Sequence, residues 1–380
     1  MAQPRYIPNI SPPLLPEPRP REELLHSLTK IVSECPPRKP WTDKFKATPQ
    51  GLWTGPTSIA YLFLWLAETH PDITIQDRLP LEWCNRYLDC GSDEISGPRG
   101  LNGWGIKNEY LAYNTVKAAA TQDNFYVSTV VDTIANHFDC PAADNEHLSG
   151  RAGTLSLLRI IKRWCPSASS QIEDCTKILV EQAMSAVPWR FHGHNYIGAA
   201  HGVIGDLTQI VLSRPAMGRD AAIESILSEQ LDLQAEDGHW FITDDPTLGE
   251  PDLVHYCHGS PGFIISLAAI RPFVSEKLQA RIDTATERGR QEVWEKGLLR
   301  KEPNLCHGIV GNMLALREWS QREHFMAHAT ADKIREGIDN GTFIAGDDSY
   351  GLLWGEAGRA WGWAMLDKKQ DLGYPSYTDV

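Results

Sequence analysis

The stretch "YCHGSPG" at Tyr256–Gly262 returns as "LCHGIVG" at Leu305–Gly311, and this repetition decides how the chain is read. Cys-His-Gly-x-x-Gly written twice at a separation of some fifty residues points to an internal repeat, and a repeat fixes the fold before any single helix does. Five further copies of Gly-x-x-Gly, or an approximation to it, each followed by an apolar run, line up with these two. They are "GPTSIAYLFLWL" from Gly55, "GIKNEYLAYNTVKAA" from Gly105, "GRAGTLSLLRII" from Gly150, "GVIGDLTQIVL" from Gly202 and "GEAGRAWGWAML" from Gly355. With Gly259 and Gly308 included, successive first glycines are 50, 45, 52, 57, 49 and 47 residues apart. The copy at Gly105 is the weakest, because "NGWGIKN" lacks the second glycine.

Each unit has a physical reading. The glycines end a loop and open a helix, allowing a sharp backbone turn and close approach of neighbouring helices. The runs that follow are apolar almost without interruption, the pattern of a helix covered on most sides. Between them lie amphipathic stretches such as Thr176–Val187 and Ala222–Gln234, whose apolar residues recur at spacings of three and four and mark outer helices. Seven outer-plus-inner pairs, each needing a neighbour to cover its apolar face, close into a ring. The expected fold is all-α, an α/α toroid of seven helix pairs with its glycine turns at one end. Residues 1–50 read as a Pro-rich N-terminal arm with a first helix at Glu22–Glu34, and 51–380 as the toroid. Strand signals are weak, with "GHWFIT" (Gly238–Thr243) and "NFYVSTVV" (Asn124–Val131) the candidates; the second could equally open a helix. The acidic "ITDDP" (Ile242–Pro246) and "GDDSYG" (Gly346–Gly351) read as turns capped by solvated Asp.

Composition excludes several functions. The chain has 380 residues, 42% hydrophobic and 22% charged, enough for a large soluble core. A formal charge of −13 argues against nucleic acid, whose binding rests on clustered Lys and Arg. The opening "MAQPRYIPNISPPLLPEPRPREELL" has no apolar signal region, and no stretch reaches about 18 uncharged apolar residues, so the expectation is a cytoplasmic protein without a transmembrane segment. Its eight cysteines show no dense disulfide pattern and read as thiols, six of them as small buried hydrophobes.

The toroid gathers equivalent positions at one mouth. Immediately before the first glycines stand Thr54, Trp104, Ser149, His201, His258, His307 and Trp354, and one residue earlier stand Cys257 and Cys306. Two thiolates and an imidazole make a site suited to Zn²⁺, with three protein ligands leaving a fourth position open. Periodicity alone does not say which histidine completes the set.

The segments "YIGAAHGVIG", "LVHYCHGSPG", "GLLRKEPNLCHGIVGN" and "HLSGRAGTLSLL", with the N-terminal "RYIPNIS", resemble the LanC-like family, eukaryotic relatives of the bacterial lanthionine cyclases, over nearly the whole chain. The resemblance implies one zinc ion held by Cys257, Cys306 and His307, with His258 as a pocket group. It implies thiol addition to the alkene of dehydroalanine or dehydrobutyrine, giving a thioether, with His201 as general acid/base. In the eukaryotic branch the thiol is glutathione, and Lys301 and Arg5 match its cationic contacts. Arg300 reads as a solvated charge, and His192 and His194 as loop residues. A non-catalytic glutathione- and zinc-binding signalling adaptor, or a thiol-adding tailoring enzyme of a natural-product pathway, are the alternatives.

Overall fold

The computed structural model of the chain describes residues 4–9, 17–38, 49–91, 104–137, 144–245, 253–346 and 350–380. Cys140, Pro246, Asp347 and Asp348 lie outside the described residues, as does much of the Pro-rich arm. Among the described residues there are fifteen α-helices and no strand, only isolated bridges. Seven inner helices follow the seven motifs: α2 (Pro56–Thr69), α4 (Glu109–Thr121), α6 (Arg151–Trp164), α8 (Val203–Ser213), α10 (Ser260–Ile270), α12 (Ile309–Ala315) and α15 (Glu356–Lys368). Outer helices alternate with them: α1 (Pro20–Glu34), α3 (Pro80–Gly91), α5 (Asn124–Ala135), α7 (Ser169–Ser185), α9 (Ala221–Asp232), α11 (Glu276–Lys296) and the pair α13 (Trp319–Ala327) and α14 (Ala331–Asp339). The fold is the all-α toroid of seven helix pairs. "NFYVSTVV" is helical within α5, and "GHWFIT" contributes a single bridge, Thr243 with Tyr196.

The inner helices are apolar throughout for the reason the sequence suggests: in α10 every residue from Ser260 to Leu267 is buried. The outer helix that completes the seventh pair comes from the start of the chain, since α1 packs along α15. Glu356 of α15 is the polar anchor of that closure. It accepts from Ser27 Oγ at 2.7 Å, Lys30 Nζ at 2.8 Å and Arg359 Nη2 at 2.6 Å, so its buried charge is paired from three sides.

A circuit of backbone hydrogen bonds joins the loops at the mouth. Leu52 N–H donates to Ile106 O, Lys107 to Leu148, His147 to Ala200, Ala200 to Cys257, Cys257 to Cys306, Cys306 to Leu353 and Leu353 back to Trp53. Seven buried loops thereby satisfy one another's polar groups without any sheet. The circuit also corrects the register of the second repeat. Its helix is N-capped by Asn108, whose side chain accepts from Leu111 N–H, in the place that Gly150, Gly202 and Gly308 take elsewhere. The residue before the cap is therefore Lys107, not Trp104. Gly105 serves the turn three residues upstream, with a φ of +80°.

The centre of the ring is filled by the C-terminal segment. Tyr377 bonds Ser266 of α10 through its hydroxyl and accepts at its carbonyl from Arg159 of α6 and Gln209 of α8, while Asp379 accepts from Tyr61 of α2. Tyr374 stacks on Tyr256 with ring centroids 3.6 Å apart. The residue just before Cys257 thus rests on the tail.

Candidate metal centre

Cys257 and Cys306 sit at equivalent positions of neighbouring repeats, and the Cys257 N–H to Cys306 O bond of 3.3 Å holds their backbones in contact. Local chemistry shapes each loop. Beside Cys257 the chain folds tightly, His255 N–H donating to His258 O at 2.9 Å, and Gly259 takes a φ of +103° that a side chain resists. On the other loop Asn304 Oδ1 accepts from His307 N–H at 2.9 Å. Gly311 lies so close to that loop that a Cβ would stand 1.8 Å from Leu305 O, which explains the second glycine of the motif. Asn312 then clamps both loops, its amide donating to Val254 O and Gly297 O.

The result is one group of metal-capable donors among the described residues: Cys257 Sγ, Cys306 Sγ and a ring nitrogen of His307, all within 4.8 Å of one another. His258 is not part of it. The two thiols share charge unequally. Hydrogen bonding from Cys306 holds Cys257 well below the ordinary thiol range, helped by His255 and His307, whereas burial and then the neighbouring Cys257 push Cys306 well above it. Two buried thiols beside an imidazole are a donor set suited to Zn²⁺.

His201 stands one repeat away on the same mouth, its ring centroid 5.8 Å from that of His258. Its Nδ1 is bonded to Glu146 Oε2 at 3.0 Å, which leaves Nε2 as the atom open to a reactant. Glu146 is buried and held in turn by the N–H groups of Leu148 and Ser149. Phe191 stacks on the imidazole at 4.7 Å with the planes 12° apart. It comes from the hairpin containing His192 and His194, both of which are exposed loop residues.

Lys301 and Arg5 are brought to one edge. Arg300 N–H donates to Arg5 O at 2.9 Å, and Ile7 N–H to Leu298 O at 2.7 Å, so the N-terminal segment pairs with the approach to Cys306. Both side chains are exposed, and the charge of Lys301 is felt at Cys306, where it opposes the upward push on the thiol. Arg300 is only partly exposed, and its Nη1 points to Thr342 O at 3.5 Å. Three residues escape sequence reasoning. Glu146 carries no repeat signal, and Phe191 belongs to a loop without one. His255, with Nδ1 3.9 Å from Cys257 Sγ, lies in plain view two residues before the cysteine, but nothing in the spacing marks it.

A closed ring of seven helix pairs with a Cys₂His group at its mouth defines the class: an α/α toroid with a candidate metal centre. The chain belongs to the lanthionine synthetase C-like protein family, whose pattern matches residues 46–378. Its fold is that of nisin cyclase, with a TM-score of 0.62 over 94% of this chain and 96% of that one at 15% identity. Among curated relatives, the zebrafish (Danio rerio) glutathione S-transferase LANCL1 is 30% identical over 136 residues, 34% of this chain and 32% of that protein. The Arabidopsis thaliana LanC-like protein GCL1 is 27% identical over 202 residues, 50% of this chain and 45% of that protein. The matches thus span less than half the length of either relative. No helix among the described residues is long and apolar enough to cross a membrane.

Proposed function

We propose that the protein adds the thiol of glutathione to a dehydroalanine or dehydrobutyrine residue, giving a thioether, with Cys257, Cys306 and His307 holding a zinc ion in a reducing cytoplasm. When bound, the ion supplies a Lewis acid that lowers the pKa of a substrate thiol from its usual value of about 8.5 and leaves it a nucleophile at neutral pH. The donor set favours this reading because three protein ligands leave a fourth position for sulfur.

The chain's own residues account for the rest. Sulfur forms a bond to the β-carbon of the alkene while the π electrons shift toward the carbonyl, leaving an enolate that needs one proton at the α-carbon. His201 Nε2 takes the proton that the incoming thiol gives up, while Glu146 holds Nδ1–H and balances the imidazolium, and then delivers it to the α-carbon. The proton lost by the thiol is the one gained by the α-carbon, so the imidazole returns to its starting state and the balance closes. Phe191 covers one face of the imidazole and limits the access of water. Lys301 and Arg5 supply cations for the two carboxylates of glutathione. The name of the zebrafish relative supports glutathione as the thiol.

The observation that carries the proposal is the presence, on one hydrogen-bonded mouth, of the Cys₂His group and a carboxylate-oriented histidine one repeat apart. Mass spectrometry after incubation with zinc, glutathione and a dehydroalanine-containing peptide tests it. A peptide heavier by one glutathione, formed faster than without protein, is expected; no adduct above the uncatalysed background would exclude the activity.

A further inference from the structure

With the second repeat in its observed register, Lys107 takes the place that His201, His258 and His307 take in the fourth, fifth and sixth repeats. Around the circuit of seven loops, the second repeat lies three steps from the fifth in one direction and three from the sixth in the other. Lys107 therefore faces Cys257 and Cys306 across the mouth. Its Nζ lies 5.5 Å from the ring centroid of Trp53, Trp53 meets Trp354 edge-on at 5.0 Å, and Trp354 is 5.7 Å from His307. A row of aromatic rings thus leads from a metal ligand to a half-buried ammonium.

No carboxylate among the described residues pairs with that ammonium. Glu109, two residues further on, accepts from Gly51 N–H and Thr57 Oγ1 instead. In a chain of net charge −13, where Lys30, Lys117, Lys162, Lys296, Lys333 and Lys369 all pair with acids, a partly desolvated lysine at the mouth stands out. Partial burial of an unpaired charge is costly, and an arriving anion removes that cost. Lys301 and Arg5 occupy the opposite side, next to Cys306, so the anion that Lys107 meets is not the thiol donor's. The acceptor's reactive carbon must reach sulfur at the ligand side, and its flanking residues then cross the mouth over Trp354, beneath which Trp53 is buried.

We infer that Lys107 is a specificity residue for the acceptor: it binds a carboxylate or phosphate carried within two or three residues of the dehydroamino acid, while the partly exposed Trp354, backed by the buried Trp53, forms the surface on which the planar acceptor lies. This rests on the thiol-addition reading for the identity of the acceptor, but its test does not depend on turnover.

Calorimetry on the full-length zinc-loaded protein, with no glutathione present, compares dehydroalanine peptides that differ at one flanking position: Glu, phosphoserine, Gln or Lys. The parent should bind the Glu or phosphoserine peptide about tenfold more tightly than the Gln peptide, the ratio of the two anions telling carboxylate from phosphate. Lys107→Met should erase the preference, Lys107→Arg should keep it and Lys107→Glu should turn it toward the Lys peptide, all with parental zinc content and glutathione affinity. Equal binding of all peptides by the parent, or a preference that survives Lys107→Met, would overturn the inference. So would a fall in glutathione affinity matching that for the peptide. In a separate incubation of the same peptides with glutathione, absence of adduct from every one would count against thiol addition, and the binding result would still judge Lys107.

Discussion

The backbone N–H of Cys257 donates to the carbonyl of Cys306 at 3.3 Å, so the two thiols are fixed by the same hydrogen-bond circuit that closes the ring. A single three-donor site follows, and the purified protein should carry about one zinc per chain. Cys257→Ala, Cys306→Ala and His307→Ala should each lose most of it, whereas His258→Ala should keep it, because only His307 joins the 4.8 Å group. Metal analysis of the four variants checks this. Zinc retained without His307 and lost without His258 would assign the ligand to the wrong imidazole.

His201→Ala should leave zinc and thiol binding near parental levels and lower turnover by about 10² to 10⁴, the usual contribution of a positioned proton donor. Glu146→Gln, which keeps the shape but not the charge against Nδ1, should lower turnover by less. Parental turnover in the alanine variant would reduce His201 to a structural role.

The ring was legible because its cause is periodic: glycines every fifty residues, and apolar runs after each, encode seven equivalent helices in one dimension. That Cys257 and Cys306 meet histidines at one end was legible for the same reason, but His201, His258 and His307 fill equivalent slots, and the spacing does not tell them apart. What the sequence hid has no period. The second repeat starts its helix with an Asn108 cap instead of a glycine, and alignment on Gly105 placed Trp104 where Lys107 belongs. Glu146 serves His201 from another repeat, a contact that exists only once the loops are bonded side by side. The tail residues Tyr374, Tyr377 and Asp379 belong to no repeat, yet they contact α2, α10 and the loop before Cys257 at the centre of the ring.

Lys301→Ala, or removal of the first ten residues, should raise KM for glutathione about tenfold while sparing zinc, since each removes a cation from the edge beside Cys306. Cysteine, which lacks the flanking carboxylates of the tripeptide, should be used as before. Kinetics with the two thiols in competition distinguish the outcomes: an equal loss for both would mean that the N-terminal segment and Lys301 support the fold instead of reading glutathione.

The last prediction concerns closure of the ring by α1. Burial pushes the Glu356 carboxyl up, but Arg359 and Lys30 together outweigh it and hold the group down at about 2. The folded value lies below the unfolded one, so the stabilisation is present above the ordinary glutamate range and is lost as pH falls toward 2. Glu356→Gln keeps the bond from Ser27 but leaves Lys30 without its acid and Arg359 with only Glu302. At pH 7 the variant should be less stable by about 3 kcal/mol, the size expected when one partner of a buried ion pair is removed. The gap should begin to close below about pH 4.5, where the unfolded parent takes up a proton at this carboxylate while the folded one stays ionised. Urea unfolding of parent and variant at pH 7, 5 and 3.5 measures it. A gap that is constant across the three, or that widens in acid, would mean that Glu356 holds α1 to α15 through shape and not through charge.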